Sequence, residues 1–228
     1  MRVCAIIFFF IITTLGHSQY TKEELLGRFD PETHSDFVRI KTEYANHPNH
    51  YLRKEVAEAF YKMAQAAQRD GITLTIVSST RNYARQKTIW ENKYHKFAGT
   101  PFDRVHRILQ YSSMPGTSRH HWGTDFDLNS VDPEYFNTPA GQRVYKWLRE
   151  NAWKYGFFQP YTSFDDTRSS GYFEEKWHWS YKPLADLFLW AYRLMVSYDD
   201  IYGFSGAEIA KSLNVIDNYV LSILPEER

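Results

Sequence analysis

Cysteine is nearly missing from the 228-residue chain: Cys4 is the only one, and it lies inside an apolar N-terminal run. Once that run is removed no cysteine remains, which excludes disulfide staples, thiolate nucleophiles and cysteine-ligated zinc. Any metal must then be held by His, Asp or Glu. Net charge is missing as well, because 27 Lys and Arg balance 27 Asp and Glu. A balanced chain offers no basic face to nucleic acid and no polybasic patch to a membrane surface. The apolar run from Val3 to Leu15 is too short to span a bilayer comfortably. With Met1-Arg2 before it and Gly16-His17-Ser18 after it, residues 1–18 read as a secretory signal peptide cleaved after Ser18. The expected mature protein is periplasmic or secreted, with no integral membrane segment. Internal repeats and low-complexity tracts are absent too.

What is present is enough apolar and aromatic residue, 43% and 18%, to bury a real core. The length suits one compact domain with appendages. Thr21-Lys22-Glu23-Glu24 resembles a helix N-terminus and Phe29-Asp30-Pro31 a turn. Helical spacing of Val56, Ala59, Phe60, Met63, Ala64 and Ala67 predicts a helix over Tyr51 to Asp70, ended by Gly71. Ile72 to Val77 alternates as a strand. Ser78 to Gln86 then leads into a helix through Trp90 and Tyr94. Ala98 to Gly116, aromatic and basic without periodicity, reads as a lid or wall. Asp132 to Pro139 reads as a loop, and Gly141 to Tyr155 as a helix with Val144, Trp147, Leu148 and Ala152 inward. Gly156-Phe157-Phe158 is a short extended piece, and Thr162 to Gly171 an exposed loop before a strand carrying His178. Leu184 to Val196 is a helix, and Ser205 to Leu224 one or two more, whose role is packing or partner binding.

The densest chemistry lies in Ser118-Arg119-His120-His121-Trp122-Gly123-Thr124-Asp125-Phe126-Asp127. Catalytic zinc takes three protein ligands and keeps a fourth position open. His120 and Asp127 can supply two of them, with Gly123 folding the chain back, and His178 is the best third. The competing reading is a pair of packed histidines flanked by tryptophans. A carboxylate near the open position can take a proton from water and pass it to a leaving amine. Glu174 and Glu175 both qualify by type, and strict strand alternation puts Glu174 on the face of His178. Arg81, poised after a strand, either stabilises an oxyanion, binds a substrate carboxylate or forms a surface salt bridge. Gln86 either reaches the same place or caps its helix, and Ser118 either binds substrate or shapes the turn.

Ser118-x-His120-x-x-Gly123-x-Asp125-x-Asp127 with Glu175-x-Trp177-His178 resembles the signature of the zinc D-alanyl-D-alanine carboxypeptidases of the VanY type, the M15 peptidases. Ser79-Thr80-Arg81 with Gln86 is similar to that family's upstream element. The resemblance covers roughly Tyr51 to Pro183. It implies Zn2+ held by His120, Asp127 and His178, Glu175 as general base, and Arg81 at the oxyanion or the substrate carboxylate. It also places Ser118 and Gln86 in the substrate site. The implied substrate is the peptidoglycan stem peptide, cut by D,D-carboxypeptidase, L,D-carboxypeptidase or endopeptidase action. A non-catalytic wall-binding module is the rival of a different class. The implied fold is α+β, a small antiparallel sheet carrying the site between helices. The chain then divides into an N-terminal segment 19–50, a peptidase core 51–183 and a helical C-terminal extension 184–228. Asp125 departs from the family pattern, where a small residue, commonly alanine, is usual. It is either an outer partner of a histidine or a narrowing of the pocket.

Overall fold

The computed structural model describes residues 20–165 and 168–223, so the expected signal peptide lies outside the described residues. In chain order the elements are α1 (Lys22–Leu25), β1 (Phe37–Arg39), β2 (Tyr51–Arg53), α2 (Lys54–Arg69), β3 (Ile76–Ser78) and α3 (Tyr83–Lys96). They continue with α4 (Pro101–Ile108), β4 (Asp125–Leu128), α5 (Pro139–Asn151), β5 (Phe157–Phe158), β6 (His178–Tyr181) and α6 (Lys182–Met195). The result is the expected α+β arrangement. A four-stranded antiparallel sheet runs in the order β3-β4-β6-β5, and β1 and β2 form a separate hairpin-like pair. No helix among the described residues is long and apolar enough to cross a membrane.

Register decides what the sheet does. Asp127 pairs with His178, Phe126 with Trp179 and Asp125 with Ser180. Because successive side chains alternate between faces, Phe126 and Trp179 join α2 and α5 in one apolar cluster with Phe60, Met63, Leu148 and Phe157. Asp125, Asp127, His178 and Ser180 are left on the other face. A second cluster gathers Leu25, Trp90, Val105, Ile108, Trp122, Phe188 and Tyr192. Thus α6 packs with α1, α3 and α4, and Tyr20 stacks on Phe188 with ring centroids 3.9 Å apart.

Several expected elements differ in the structure. Tyr51–Arg53 is strand, not the first turn of the helix, because it pairs with Phe37–Arg39 and all three residues are buried. The strand expected over 72–77 narrows to Ile76–Ser78. A register shift interrupts its ladder with β4, and beyond it the Asn129 side chain bonds the Thr75 amide and the Thr73 carbonyl in place of a strand. The stretch read as a lid or wall, Ala98 to Gly116, contains α4, started by Thr100 and Asp103 in a reciprocal cap with Pro101 at the first turn. Pro133–Asn137, expected as loop, is a 3-10 turn. The expected helix over Gly141 to Tyr155 is α5 followed by a 3-10 turn, with Val144, Trp147, Leu148 and Ala152 buried as expected. Of the stretch expected to hold one or two helices, Ser205 to Leu224, the last residue lies outside the described residues, and the rest holds a 3-10 turn, Ala207–Ile209, and a π-helical turn, Ile216–Leu221. Asn214, at φ 49°, interrupts the winding between them.

Candidate functional site

His120 sits in the 3-10 turn Arg119–Trp122, which ends at Gly123 in the left-handed conformation, φ 72°. A Cβ at that glycine would lie 2.4 Å from the Phe37 ring, so conformation and space both require glycine there. Arg53 fixes the turn from outside: its Nε donates to the Trp122 carbonyl at 2.8 Å and its Nη2 pairs with Glu24 at 2.8 Å. The chain then reverses into β4, and Asp127 arrives opposite His178.

The three donors face one another. His120 Nε2 lies 3.4 Å from Asp127 Oδ1, His178 Nδ1 lies 3.2 Å from the same oxygen, and the two nitrogens are 3.2 Å apart. Donors about 2.1 Å from a tetrahedral zinc lie about 3.4 Å from one another, so the triangle has the size zinc requires. Asp127 Oδ1 is buried and, among the described residues, makes no well-formed hydrogen bond, although it stands between two imidazoles. A buried carboxylate oxygen left in that state is explained by a cation at the centre of the triangle.

Each imidazole is oriented by a partner on its far side. His120 Nδ1 lies 2.9 Å from the Ser79 carbonyl, so it carries the proton and leaves Nε2 as the donor to metal. Ser79 is itself held through its hydroxyl, 2.9 Å from His50 Nδ1. His178 Nε2 lies 3.1 Å from Asp125 Oδ1. Asp125 in turn accepts from Arg119 Nε at 2.9 Å, Thr124 Oγ1 at 2.6 Å and Ser180 Oγ at 2.9 Å. Of the two readings of Asp125, the structure shows the outer partner of a histidine; it is wholly buried and does not line the cavity beside the donors.

Burial tends to raise Asp125 and Asp127, but Arg119 and His178 beside the first, and His120 and His178 beside the second, hold both below the usual carboxylate range. Burial lowers His120. Burial also opposes a charge on His178, yet Asp125 and Asp127 overcome it and raise the imidazole to about 9. Without metal, a proton therefore occupies His178 Nδ1, and zinc must displace it. With His120 neutral and Asp127 ionised, His178 has one proton to give up, and Glu175, raised to about 8 beside it, can give up a second. Apparent zinc affinity is expected to fall at least about tenfold per pH unit on acidification below 9. Calorimetric titration between pH 6 and 8 in buffers of different ionisation enthalpy should show about one to two protons released per zinc; affinity flat across that range would refute the assignment.

Glu175, rather than Glu174, approaches the triangle. The expectation from a regular strand does not hold because β6 begins only at His178, and the chain before it turns, with the His178 amide donating to the Glu175 carbonyl at 3.2 Å. Glu175 Oε2 ends 3.5 Å from His178 Nδ1. Glu174 points away, toward the Tyr145 hydroxyl at 3.3 Å and Lys176 at 3.8 Å. Burial pushes Glu175 up to about 8, against the pull of His178, Arg81 and Lys93. A carboxylate so placed can accept a proton near neutral pH.

Arg81 is fastened by its backbone: its amide donates to the His120 carbonyl at 3.1 Å, and its carbonyl accepts from His121 Nδ1 at 2.6 Å. His121, the second histidine of the pair, is thus a brace and not a ligand. Arg81 lines a cavity of about 260 Å³ with His120, Asp127, Glu175 and His178. Gln86 does not line it; it is fully buried in α3 and donates its amide to the Ser113 carbonyl at 2.7 Å, with Ser113 on the cavity wall. Ser118 lies behind the wall, buried, with its hydroxyl unpartnered among the described residues. Sequence reasoning missed Lys93, Tyr161 and Tyr172, which also line the cavity. Only the ionisable Lys93, one turn beyond Ile89 on α3, carried a signal. Residues 162–171 are not wholly exposed: Arg168 is buried, its guanidinium bonding the carbonyls of Thr162, Ser170 and Tyr172.

The family model described as VanY: D-alanyl-D-alanine carboxypeptidase matches residues 49–184. YodJ of Bacillus subtilis is 30% identical over 179 residues, which span 75% of this chain and 59% of YodJ. A D-alanyl-D-alanine carboxypeptidase of Enterococcus faecium is 30% identical over 137 residues, 60% of this chain and 39% of that protein. The chain therefore spans less than two thirds of either relative. Among solved structures, the LdcB LD-carboxypeptidase superimposes with a TM-score of 0.55 at 28% identity, covering 71% of this chain and 74% of LdcB.

Proposed function

The chain belongs to the VanY D-alanyl-D-alanine carboxypeptidase family, and from that premise we propose an exported zinc carboxypeptidase that removes terminal D-alanine from peptidoglycan stem peptides. The observation that carries the reading is the triangle of His120 Nε2, Asp127 Oδ1 and His178 Nδ1, with edges of 3.2 to 3.4 Å and Glu175 3.5 Å from its nearest corner. Export rests on the expected signal peptide, residues 1–18.

When bound by His120, Asp127 and His178, zinc supplies Lewis acidity toward the scissile carbonyl and the attacking water. Glu175 removes a proton from that water and returns it to the departing amine nitrogen, so that the C–N bond breaks with a neutral leaving group. Arg81 presents a fixed positive charge to the carbonyl oxygen or to the terminal carboxylate. Asp125 and Ser79 keep the imidazoles turned so that their lone pairs meet at one point. A non-catalytic wall-binding module would need the ligands but neither Glu175 nor Arg81, and both face the cavity.

The likeness to LdcB favours one second reading, an L,D-carboxypeptidase acting on the tetrapeptide. Metal analysis of purified protein, with mass spectrometry of defined muropeptides, separates these. One zinc per chain and loss of a single alanine from the pentapeptide are expected. Release only from the tetrapeptide would move the activity to the L,D class. Cleavage inside the stem would make it an endopeptidase, and absence of turnover at any pH would leave the binding module.

A further inference from the structure

On α3 the side chains at i, i+4 and i+8, Gln86, Trp90 and Tyr94, are buried, while Ile89 and Lys93, one turn apart, reach the cavity that holds the triangle. Arg81 stands on the same wall. The anions within reach are already committed: Asp127 to the imidazoles, and Asp125 to Arg119 and His178. Glu175 faces the triangle. Neither Arg81 nor Lys93 forms an ion pair or side-chain hydrogen bond among the described residues, and Arg81 Nε is buried without a partner.

Two partly or wholly buried cations that share the attraction of Glu175 but pair directly with no carboxylate are costly. Burial lowers both, and Lys93 is lowered further by Arg81. A divalent cation on the triangle would make the cavity more cationic still, so its resting electrostatics call for an anionic ligand from outside the chain. The two cations are also not equivalent. Arg81 is tied to the donor turn, its amide bonded to the His120 carbonyl at 3.1 Å, whereas Lys93 enters the cavity from α3 beside Ile89. The volume, about 260 Å³, falls below the roughly 300–1,000 Å³ of ordinary ligand pockets; it suits a chain end rather than a chain passing through.

From this geometry we propose that Lys93 anchors the terminal carboxylate of the substrate, leaving Arg81 to the carbonyl oxygen at the scissile bond. The inference rests on the carboxypeptidase reading and sharpens it: a site with a second, outer cation is built for a free C-terminus and disfavours an endopeptidase. It is read by binding, without turnover. Calorimetry compares D-alanyl-D-alanine with its C-terminal amide on the zinc-loaded protein in a Glu175→Ala background, which prevents turnover, with position 93 as wild type, Lys93→Met or Lys93→Arg. The free acid is expected to bind wild type at least about tenfold more tightly than the amide. Lys93→Met should remove that preference while leaving amide affinity unchanged, and Lys93→Arg should restore most of it. Equal binding of acid and amide by wild type, or an unaltered preference in Lys93→Met, overturns the proposal. Melting temperatures of the variants check that each is folded. In a parallel assay of stem-peptide hydrolysis, Lys93→Met should raise KM about tenfold with kcat little changed. Absence of hydrolysis by wild type would refute the carboxypeptidase reading; a charge-dependent preference that persisted there would still support the Lys93 assignment.

Discussion

Glu175→Ala is expected to lower kcat for stem-peptide hydrolysis by about 10²- to 10⁴-fold, the range for loss of a general acid-base group, while zinc content stays at one per chain. The carboxylate is not one of the three mutually facing donors: the group that converges is His120, Asp127 and His178, and Glu175 approaches one corner of it, His178 Nδ1, at 3.5 Å. Its loss should not unfold the protein, because burial already disfavours the ionised form and pushes it up to about 8. KM should move little, since Arg81 and Lys93 remain. Glu174→Ala is the matched control: with Glu174 turned toward Tyr145 and Lys176, its kcat should stay near wild type. Release of D-alanine, followed by mass spectrometry, reads both variants. An active Glu175→Ala, or an inactive Glu174→Ala, would reverse the assignment.

Asp125→Ala should cost twice over. Arg119, wholly buried and paired with Asp125 at 2.9 Å, would be stranded, and breaking a buried pair costs about 3–5 kcal/mol. His178 would also lose the partner that holds its Nε2 proton, and loss of such a partner typically weakens metal binding 10- to 100-fold. The two effects separate experimentally. Lost packing lowers the melting temperature with and without zinc alike, whereas lost ligand orientation shrinks the gap between the two. A 10- to 100-fold weaker zinc removes about 1.4–2.7 kcal/mol of that stabilisation at saturating metal. Chelator competition gives the affinity directly. Asp125→Asn, able to accept the Nε2 proton but without the charge, should fall between. An undiminished zinc-dependent gap in Asp125→Ala would reduce Asp125 to a packing role.

Much of the centre could be read from residue order because its donors sit in two short segments. A His-x6-Asp spacing around a glycine needs only one tight reversal to converge, and the reversal is at Gly123. The choice between Glu174 and Glu175 was not legible from periodicity, because alternation governs only residues already in the ladder and the chain is still turning at 175–177. Lys93 was missed for a related reason. On a helix with few apolar residues, a lysine at the edge of the buried face reads as solvent-exposed, and only the packing of Trp90 and Tyr94 into the cluster with α4 turns it toward the cavity. The helix at 101–108 is signalled by its cap, Thr100-Pro101-x-Asp103, and not by apolar spacing. The last twenty described residues were harder still. Their buried side chains, Phe204, Ala210, Val215, Ile216 and Val220, follow the shape of the cluster they fill rather than any repeat.

The backbone at Arg81 is gripped on one side by the carbonyl of His120 and on the other by the ring of His121. The Arg81 backbone and the turn that carries the first imidazole donor are therefore fastened to each other. A graft of residues 118–127 onto another scaffold without 79–81 would carry the donors but lose the aim of the cation. Lesions at either hydrogen bond should disturb ion retention and ligand affinity together, in proportion, rather than one at a time.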